Sequence, residues 1–412
     1  MVNQLAFVAE NLGTSMRERI INLLGRVTSG QRLIPEIDGL RFFAIATVVA
    51  YHANIQACRT FNPGIEDSDL KQAMSASIFT EVLARGNVGV PVFFAISGFI
   101  LALPFARHYR IKGAPPVRLR PYFERRLSRL EVPYLAALGV AFAAKIFTGG
   151  GWAWGHLVAS ALYIHMFVFG EHSTINPVAW SLEIEVCFYC MAPVLVSVFA
   201  LRSMAARITL MLIVMAPSIV MRTLFDEELA SVHLDQTILG YGFYFLVGFV
   251  ALELFMSGYF TRGRGGIAFD LAGVIAMVAL LWPGDQTKLQ AALVFVPACL
   301  ALFAAAFRGF YLHAFFTNAW VVVFGGMCYS IYLLHYGFMI FATRAIGKFL
   351  VVSDQESLVT FAFLVIIVPI CVAPCVVFYL LIEKPCMQRG WYGRLLARLQ
   401  RLSTDIRELR KS

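Results

Sequence analysis

The chain has 412 residues, of which 59% are hydrophobic and 14% charged, whereas a soluble domain of this size carries roughly a quarter charged residues. Its apolar residues gather in runs of roughly 18–25, the length a bilayer requires, which excludes an ordinary soluble fold and predicts an all-α polytopic membrane bundle. The net charge of +9 does not point to nucleic acid, because the basic residues concentrate in loops between apolar runs and in the tail, where orientation signals sit.

Residues 1–32 are expected to be a cytoplasmic N-terminal segment, with 1–30 forming a short amphipathic helix on the membrane surface. A cleavable signal is not expected there, since the basic start, apolar stretch and small-residue site are missing. Residues 33–386 read as one membrane domain and 387–412 as a basic cytoplasmic tail. Ten spans fit, at roughly 39–56, 88–106, 132–148, 177–200, 207–225, 237–257, 267–283, 288–307, 318–342 and 358–382. The loop 107–131 holds eight basic and two acidic residues and is placed inside. The loop 57–86, with three basic and four acidic residues, and the acidic 226–235 are placed outside. This alternation puts both termini in the cytoplasm of a multi-pass protein of the plasma (inner) membrane. The stretch 153–169 is apolar enough to suggest an eleventh span, but counting it would place the basic tail outside. It is expected to lie along the outer surface or re-enter there, with His156 and His165 at the interface.

The first span reads IDGLRFFAIATVVAYH and carries Arg41 and His52. Eleven residues at about 100° each make roughly three turns, so the two side chains share a face about 16 Å apart along the axis. An intramembrane Arg or His is costly and is aimed at a cavity or a partner rather than at lipid. In the second span Ser97-Gly98 permits close helix approach, with packing alone as the competing role. RRLSR, Arg125 to Arg129, precedes the third span and reads equally as an orientation signal, an anionic-lipid contact or a grip on phosphates. The fourth span places Ser181, Glu185 and Tyr189 on one face at i, i+4 and i+8, with Glu183 opposite. A carboxylate this deep needs a partner, and His52 is the expected one for Glu185. The ninth span sets Tyr332, His335 and Tyr336 at i, i+3 and i+4, which suggests a hydrogen-bonded polar pocket, although a single buried His is commonly structural.

Eight cysteines form no disulfide framework. Cys187, Cys190, Cys299, Cys328, Cys371 and Cys375 lie in apolar runs, where packing accounts for them. Cys187-x-x-Cys190 has the spacing of a redox or metal pair but no nearby Cys or His to complete it. A metal site is not expected, since no H-E-x-x-H and no i, i+4 pairing of His or carboxylates falls in any predicted span. No phosphate-binding glycine loop or nucleophile elbow occurs, and no internal repeat or folded soluble domain.

The segments IDGLR-x10-H (Ile37 to His52), GVPVFFAISGF (Gly89 to Phe99), RRLSR, WSLEIEVCFY (Trp180 to Tyr189), YSIYLLH (Tyr329 to His335) and IEKP (Ile382 to Pro385) occur in one order over residues 33–386. Together they resemble the acyltransferase-3 family of integral-membrane O-acyltransferases. The resemblance implies ten spans and transfer of an acyl group, usually acetyl from cytoplasmic acetyl-CoA or another acyl-CoA, to a hydroxyl of an extracytoplasmic glycan or lipid-linked sugar. No bound cofactor is implied, and membrane lipids are the other partner. Carried over by position, Arg41 and His52 match the paired first-span residues and Ser97 with Gly98 the F-F-x-x-S-G element. Arg126 and Arg129 match the donor-associated R-x-x-R, beside Arg125. Glu185 matches the acid of W-S-L-x-x-E, which also contains Trp180 and Ser181. Val186 departs from the pattern, because many members carry a second acid there. An extra esterase-like domain found in some members is not expected here.

A sugar hydroxyl is a poor nucleophile, and His is the usual base near neutral pH. The expected mechanism has Glu185 orienting His52, which removes the acceptor proton. Arg41 either binds the donor or stabilises charge at the acyl carbonyl. Tyr332 and His335 are further pocket residues. Direct transfer and a transient acyl-histidine are both open. The competing class is a transporter or flippase of a sugar or lipid, against which the sequence offers no inverted repeat and no matched pair of broken helices.

Overall fold

The structure is a computed structural model that describes residues 16–27, 33–224, 236–260, 265–282, 287–351 and 353–388. The predicted tail 387–412 beyond Gln388 and most of the predicted helix 1–30 lie outside the described residues; of the latter, α1 (Met16–Leu24) is present. Every regular element among the described residues is helical.

Helix α2 (Pro35–Phe61) is the hub of the bundle. Pro35 supplies a preset φ in its first turn, and Glu36 and Asp38 place negative charge at its positive end. Twenty-seven residues span about 40 Å. Around it pack α3 (Gly89–Arg110), α10 (Ala319–Gly326) and α11 (Cys328–Ile346). The remaining long helices are α4 (Leu119–Phe147), α5 (Trp180–Leu195), α6 (Met204–Leu224), α7 (Ile238–Met256), α8 (Ile267–Leu280), α9 (Lys288–Arg308) and α12 (Glu356–Cys386). The protein is a multi-pass membrane protein, and its surface has the matching polarity. Large apolar side chains such as Leu381, Val194 and Leu271 face outward, while Asp38, Glu253, His335 and Glu383 are buried.

Seven helices are long and apolar enough to cross a bilayer among the described residues, and an eighth crossing is the α10–α11 pair, bent by 69°. Two of the ten predicted spans differ from this set. Helix α2 is long enough, but Arg41, His52, Asn54 and Gln56 lower its mean hydropathy, and α8 has 14 residues, about 21 Å against the ~30 Å of a hydrocarbon core. The predicted ninth span is broken at Met327, directly after Gly325-Gly326, where a glycine pair permits a kink. The basic RRLSR run lies within α4 rather than in a loop, because its Arg, Leu and Glu neighbours are good helix formers. Residues 153–169 form two short helices, Trp154–Ala161 and His165–Phe169, parted at Tyr163 with φ 58°. Each is too short to span.

Two contacts fix the frame. At the α3–α7 crossing a Cβ on Gly98 would lie 2.0 Å from the Phe245 carbonyl oxygen, and one on Gly248 1.9 Å from that of Ala95; only glycine allows backbones this close. Glu253, fully buried on α7, accepts from Arg110 of α3 and from Arg207 of α6, each at 2.7 Å. That network ties three helices together at one end of the bundle.

Candidate functional site

Two adjacent cavities lie within the bundle. The first, of about 120 Å³, is lined by Arg26, Arg41, Arg126 and Arg129 together with Ser97 and Glu185. Arg41 is positioned from within its own helix. Asp38, three residues earlier and buried, accepts from Arg41 and, at 2.8 Å, from Arg26. Arg26 follows α1, whose C-terminal carbonyls at Asn22 and Leu23 accept from Lys384. Burial, with Arg129 and Arg41 alongside, lowers the Arg26 guanidinium to about 9 against the pull of Asp38, which leaves it cationic near neutrality. Arg126 also lies 6.0 Å from the centre of the Tyr122 ring.

Glu185 Oε1 accepts from the Ser97 hydroxyl at 2.7 Å and the Tyr189 hydroxyl at 2.5 Å. Glu383 lies in a wide turn of α12, Tyr379–Glu383, and its Oε2 accepts from the backbone N–H and hydroxyl of Ser330. It thereby caps the first turn of α11, whose amides the break at Met327 leaves without helical partners. Four guanidiniums thus face the carboxylates of Glu185 and Glu383, with Asp38 behind. The surplus of fork-shaped donors suits a phosphate-bearing ligand.

The second cavity, of about 590 Å³, contains His52, Tyr51, Trp180, Tyr241, Arg85 and Lys288 among its walls. Val90 and Tyr332 line both cavities and form the partition between them. Tyr332 is locked in place: its hydroxyl donates to the Val178 carbonyl at 2.6 Å, so the Ser181 hydroxyl, also at 2.6 Å, donates to it. Trp180 packs on Tyr241 with ring centres 5.2 Å apart.

His52 Nδ1 lies 3.0 Å from the Val48 carbonyl and 3.1 Å from His335 Nε2. The rings of Tyr336 and Tyr51 flank it at 4.9 and 5.1 Å. The expected pairing of Glu185 with His52 is not what the structure has. Glu185 sits five residues beyond Trp180 on α5, roughly 7.5 Å further along the axis. That rise carries it out of the His52 cavity and into the Arg41 cavity. The imidazole neighbour of His52 is another imidazole.

Of the residues singled out in the sequence, Arg41, Ser97, Arg126, Arg129, Ser181 and Glu185 meet at the first cavity and His52 and Trp180 at the second, with Tyr332 common to both. His335 lies behind His52, fully buried. The Arg125 side chain lies outside the described residues. Glu183 Oε2 accepts from the Met166 amide at 3.0 Å and holds the short helix His165–Phe169. On that segment His156 Nδ1 meets His165 Nε2 at 2.8 Å. Sequence reasoning missed Arg26, Asp38 and Glu383 as members of the arginine cluster. Asp38 was readable from its i, i+3 spacing to Arg41, whereas Arg26 and Glu383 join it only through the fold.

A family model described as an acyltransferase domain matches residues 34–380. The O-acetyltransferase OatA of Staphylococcus aureus (strain NCTC 8325 / PS 47) is 27% identical over 187 residues, covering 40% of this chain and 25% of the relative. A putative O-acetyltransferase of Staphylococcus aureus (strain COL) is 27% identical over 182 residues with the same coverage. The match therefore spans about a quarter of the length of these curated relatives. No solved structure matches the chain.

Proposed function

The chain belongs to the acyltransferase-3 family of acyltransferase domains, and from that premise we propose that it moves an acyl group from cytoplasmic acyl-CoA to a hydroxyl of an extracytoplasmic glycan or lipid-linked sugar. The observation carrying this reading is the pair of cavities, one walled by four arginines and one containing His52, parted by Val90 and Tyr332. The Staphylococcus aureus relatives are named O-acetyltransferases, which favours acetyl. The plasma membrane is the location where a cytoplasmic thioester and an outer glycan both have access.

In this reading Arg126 and Arg129, joined by Arg26 and Arg41, take the donor phosphates through charge-assisted hydrogen bonds. The thioester arm passes Ser97 and Glu185 toward the partition. Arg41 serves the donor rather than the acyl carbonyl at His52, since about 16 Å of helix separates the two residues. The second cavity combines aromatic faces with a few polar groups, a composition suited to a small ring with hydroxyls. His52 takes the acceptor proton, the acceptor oxygen attacks the thioester carbonyl, and the C–S bond breaks. The proton passes from the imidazolium to the departing thiolate, so one thioester is exchanged for one ester without redox change.

The break at Met327 favours one other reading, a transporter built on discontinuous helices. It is a single break without a matching partner among the described residues. Proteoliposomes supplied with radiolabelled acetyl-CoA on one side and glycan on the other separate the two. Alkali-labile label on the glycan, lost in His52→Ala, supports acyl transfer; label or glycan crossing without an ester supports transport.

A further inference from the structure

We propose that His335 is a positioning residue that fixes the tautomer of His52 and leaves its Nε2 as the free base. The proposal rests on the acyl-transfer reading with His52 as base. It follows from a donor–acceptor count at two rings. His335 Nδ1 lies 2.8 Å from the Ile331 carbonyl and 2.9 Å from the Tyr332 carbonyl. Both are acceptors, so Nδ1 carries the proton and the neutral ring presents an unprotonated Nε2. That Nε2 is 3.1 Å from His52 Nδ1, which also faces the Val48 carbonyl at 3.0 Å. Two acceptors around one nitrogen place the His52 proton on Nδ1. The lone pair of His52 then resides on Nε2, which makes no hydrogen bond among the described residues, on a ring that lines the second cavity.

The alternative tautomer is penalised on both sides. A proton on His52 Nε2 would turn Nδ1 into an acceptor facing two acceptors. A proton on His335 Nε2 would leave its Nδ1 lone pair facing the Ile331 and Tyr332 carbonyl oxygens inside a fully buried site. When His52 Nε2 takes the acceptor proton, the imidazolium keeps its Nδ1–H bonded to His335 Nε2. His335 thus does for His52 what the orienting acid does in a catalytic triad, using a neutral ring rather than a carboxylate. This division also explains why Glu185 is free to sit in the other cavity.

The test uses the full-length protein in detergent or nanodiscs, with His335→Leu and His335→Gln beside the wild type. Selective ¹⁵N-histidine spectra report the tautomer of His52 whatever the activity, with His52→Gln identifying its signal. The wild type is expected to show His52 protonated on Nδ1, and His335→Leu a mixture of both forms. His335→Leu is expected to lower kcat for acyl transfer about 100-fold, within the range a positioned base contributes, with donor KM little changed. His335→Gln, whose side chain retains an acceptor, is expected to recover part of that loss. A wild-type His52 protonated on Nε2, or an unchanged tautomer and kcat in a folded His335→Leu, overturns the proposal. Wild-type protein that shows the Nδ1–H tautomer but transfers no acyl group counts against the acyl-transfer reading and leaves the ring geometry standing.

Discussion

Asp38 stands one helical turn before Arg41 on α2 and accepts hydrogen bonds from both Arg41 and Arg26. A single buried carboxylate therefore orients two of the four guanidiniums around the first cavity. Asp38→Asn is expected to leave two buried cations without their counter-charge, at a cost of about 3–5 kcal/mol. Thermal unfolding in detergent should record the lower stability. Calorimetric titration with acetyl-CoA should record weaker donor binding, because Arg41 loses the partner that sets its direction. Unchanged unfolding and binding would show that this ion pair contributes to neither.

Among the described residues Arg126 and Arg129 make no ion pair that ties one helix to another. Arg126→Ala combined with Arg129→Ala is expected to weaken acetyl-CoA binding by more than tenfold, since a charge-assisted hydrogen bond contributes about 1.5–3 kcal/mol. The unfolding midpoint should move little. S-acetylpantetheine, which keeps the thioester arm but carries no phosphate, should bind wild type and double variant alike. Equal loss for both ligands would argue against phosphate as the group these arginines hold.

How far these features were readable in the chain depends on the distance over which they are encoded. The Arg41–His52 stripe follows from a 100° period within one helix, and so does the Ser181–Glu185–Tyr189 face, because both are local. Glu185 was assigned to His52 because sequence gives the face of a helix but only a loose estimate of depth. A rise of roughly 7.5 Å from Trp180 is enough to change cavities. Arg26 and Glu383 reach the arginine cluster through packing of the chain's two ends, to which no periodicity refers. The break at Met327 was missed since Gly325-Gly326 reads as an ordinary small-residue pair in an apolar run. Only the fold sets Gly325 against the Asp38 carbonyl, where a Cβ would come within 1.7 Å.

The Gly98–Gly248 crossing gives a prediction about packing alone. Ala at either position drives a methyl into the opposite backbone, at 2.0 or 1.9 Å from a carbonyl oxygen. Backbone, unlike a side chain, cannot turn away, so each substitution is expected to cost at least 1–3 kcal/mol, the range for overpacked cores. Gly139→Ala on α4 is the control, because a Cβ there meets nothing within 4 Å. It is expected to leave the unfolding midpoint unchanged or slightly raised, as Ala is the better helix former. Similar midpoints for all three variants would refute the close approach.

Glu253 offers the sharpest separation between framework and chemistry. Its carboxylate is fully buried and holds Arg110 and Arg207 at 2.7 Å each, yet it lines neither cavity. Glu253→Gln keeps the shape but removes the charge, so two guanidiniums from α3 and α6 are left facing a neutral amide. The expected cost is about 3–5 kcal/mol, read as a lower unfolding midpoint and a smaller yield of folded protein. Protein that does fold should bind acetyl-CoA as the wild type does and transfer the acyl group at the same rate per folded molecule. A fall in that rate without a fall in stability would place Glu253 in the chemistry and contradict its assignment to the frame.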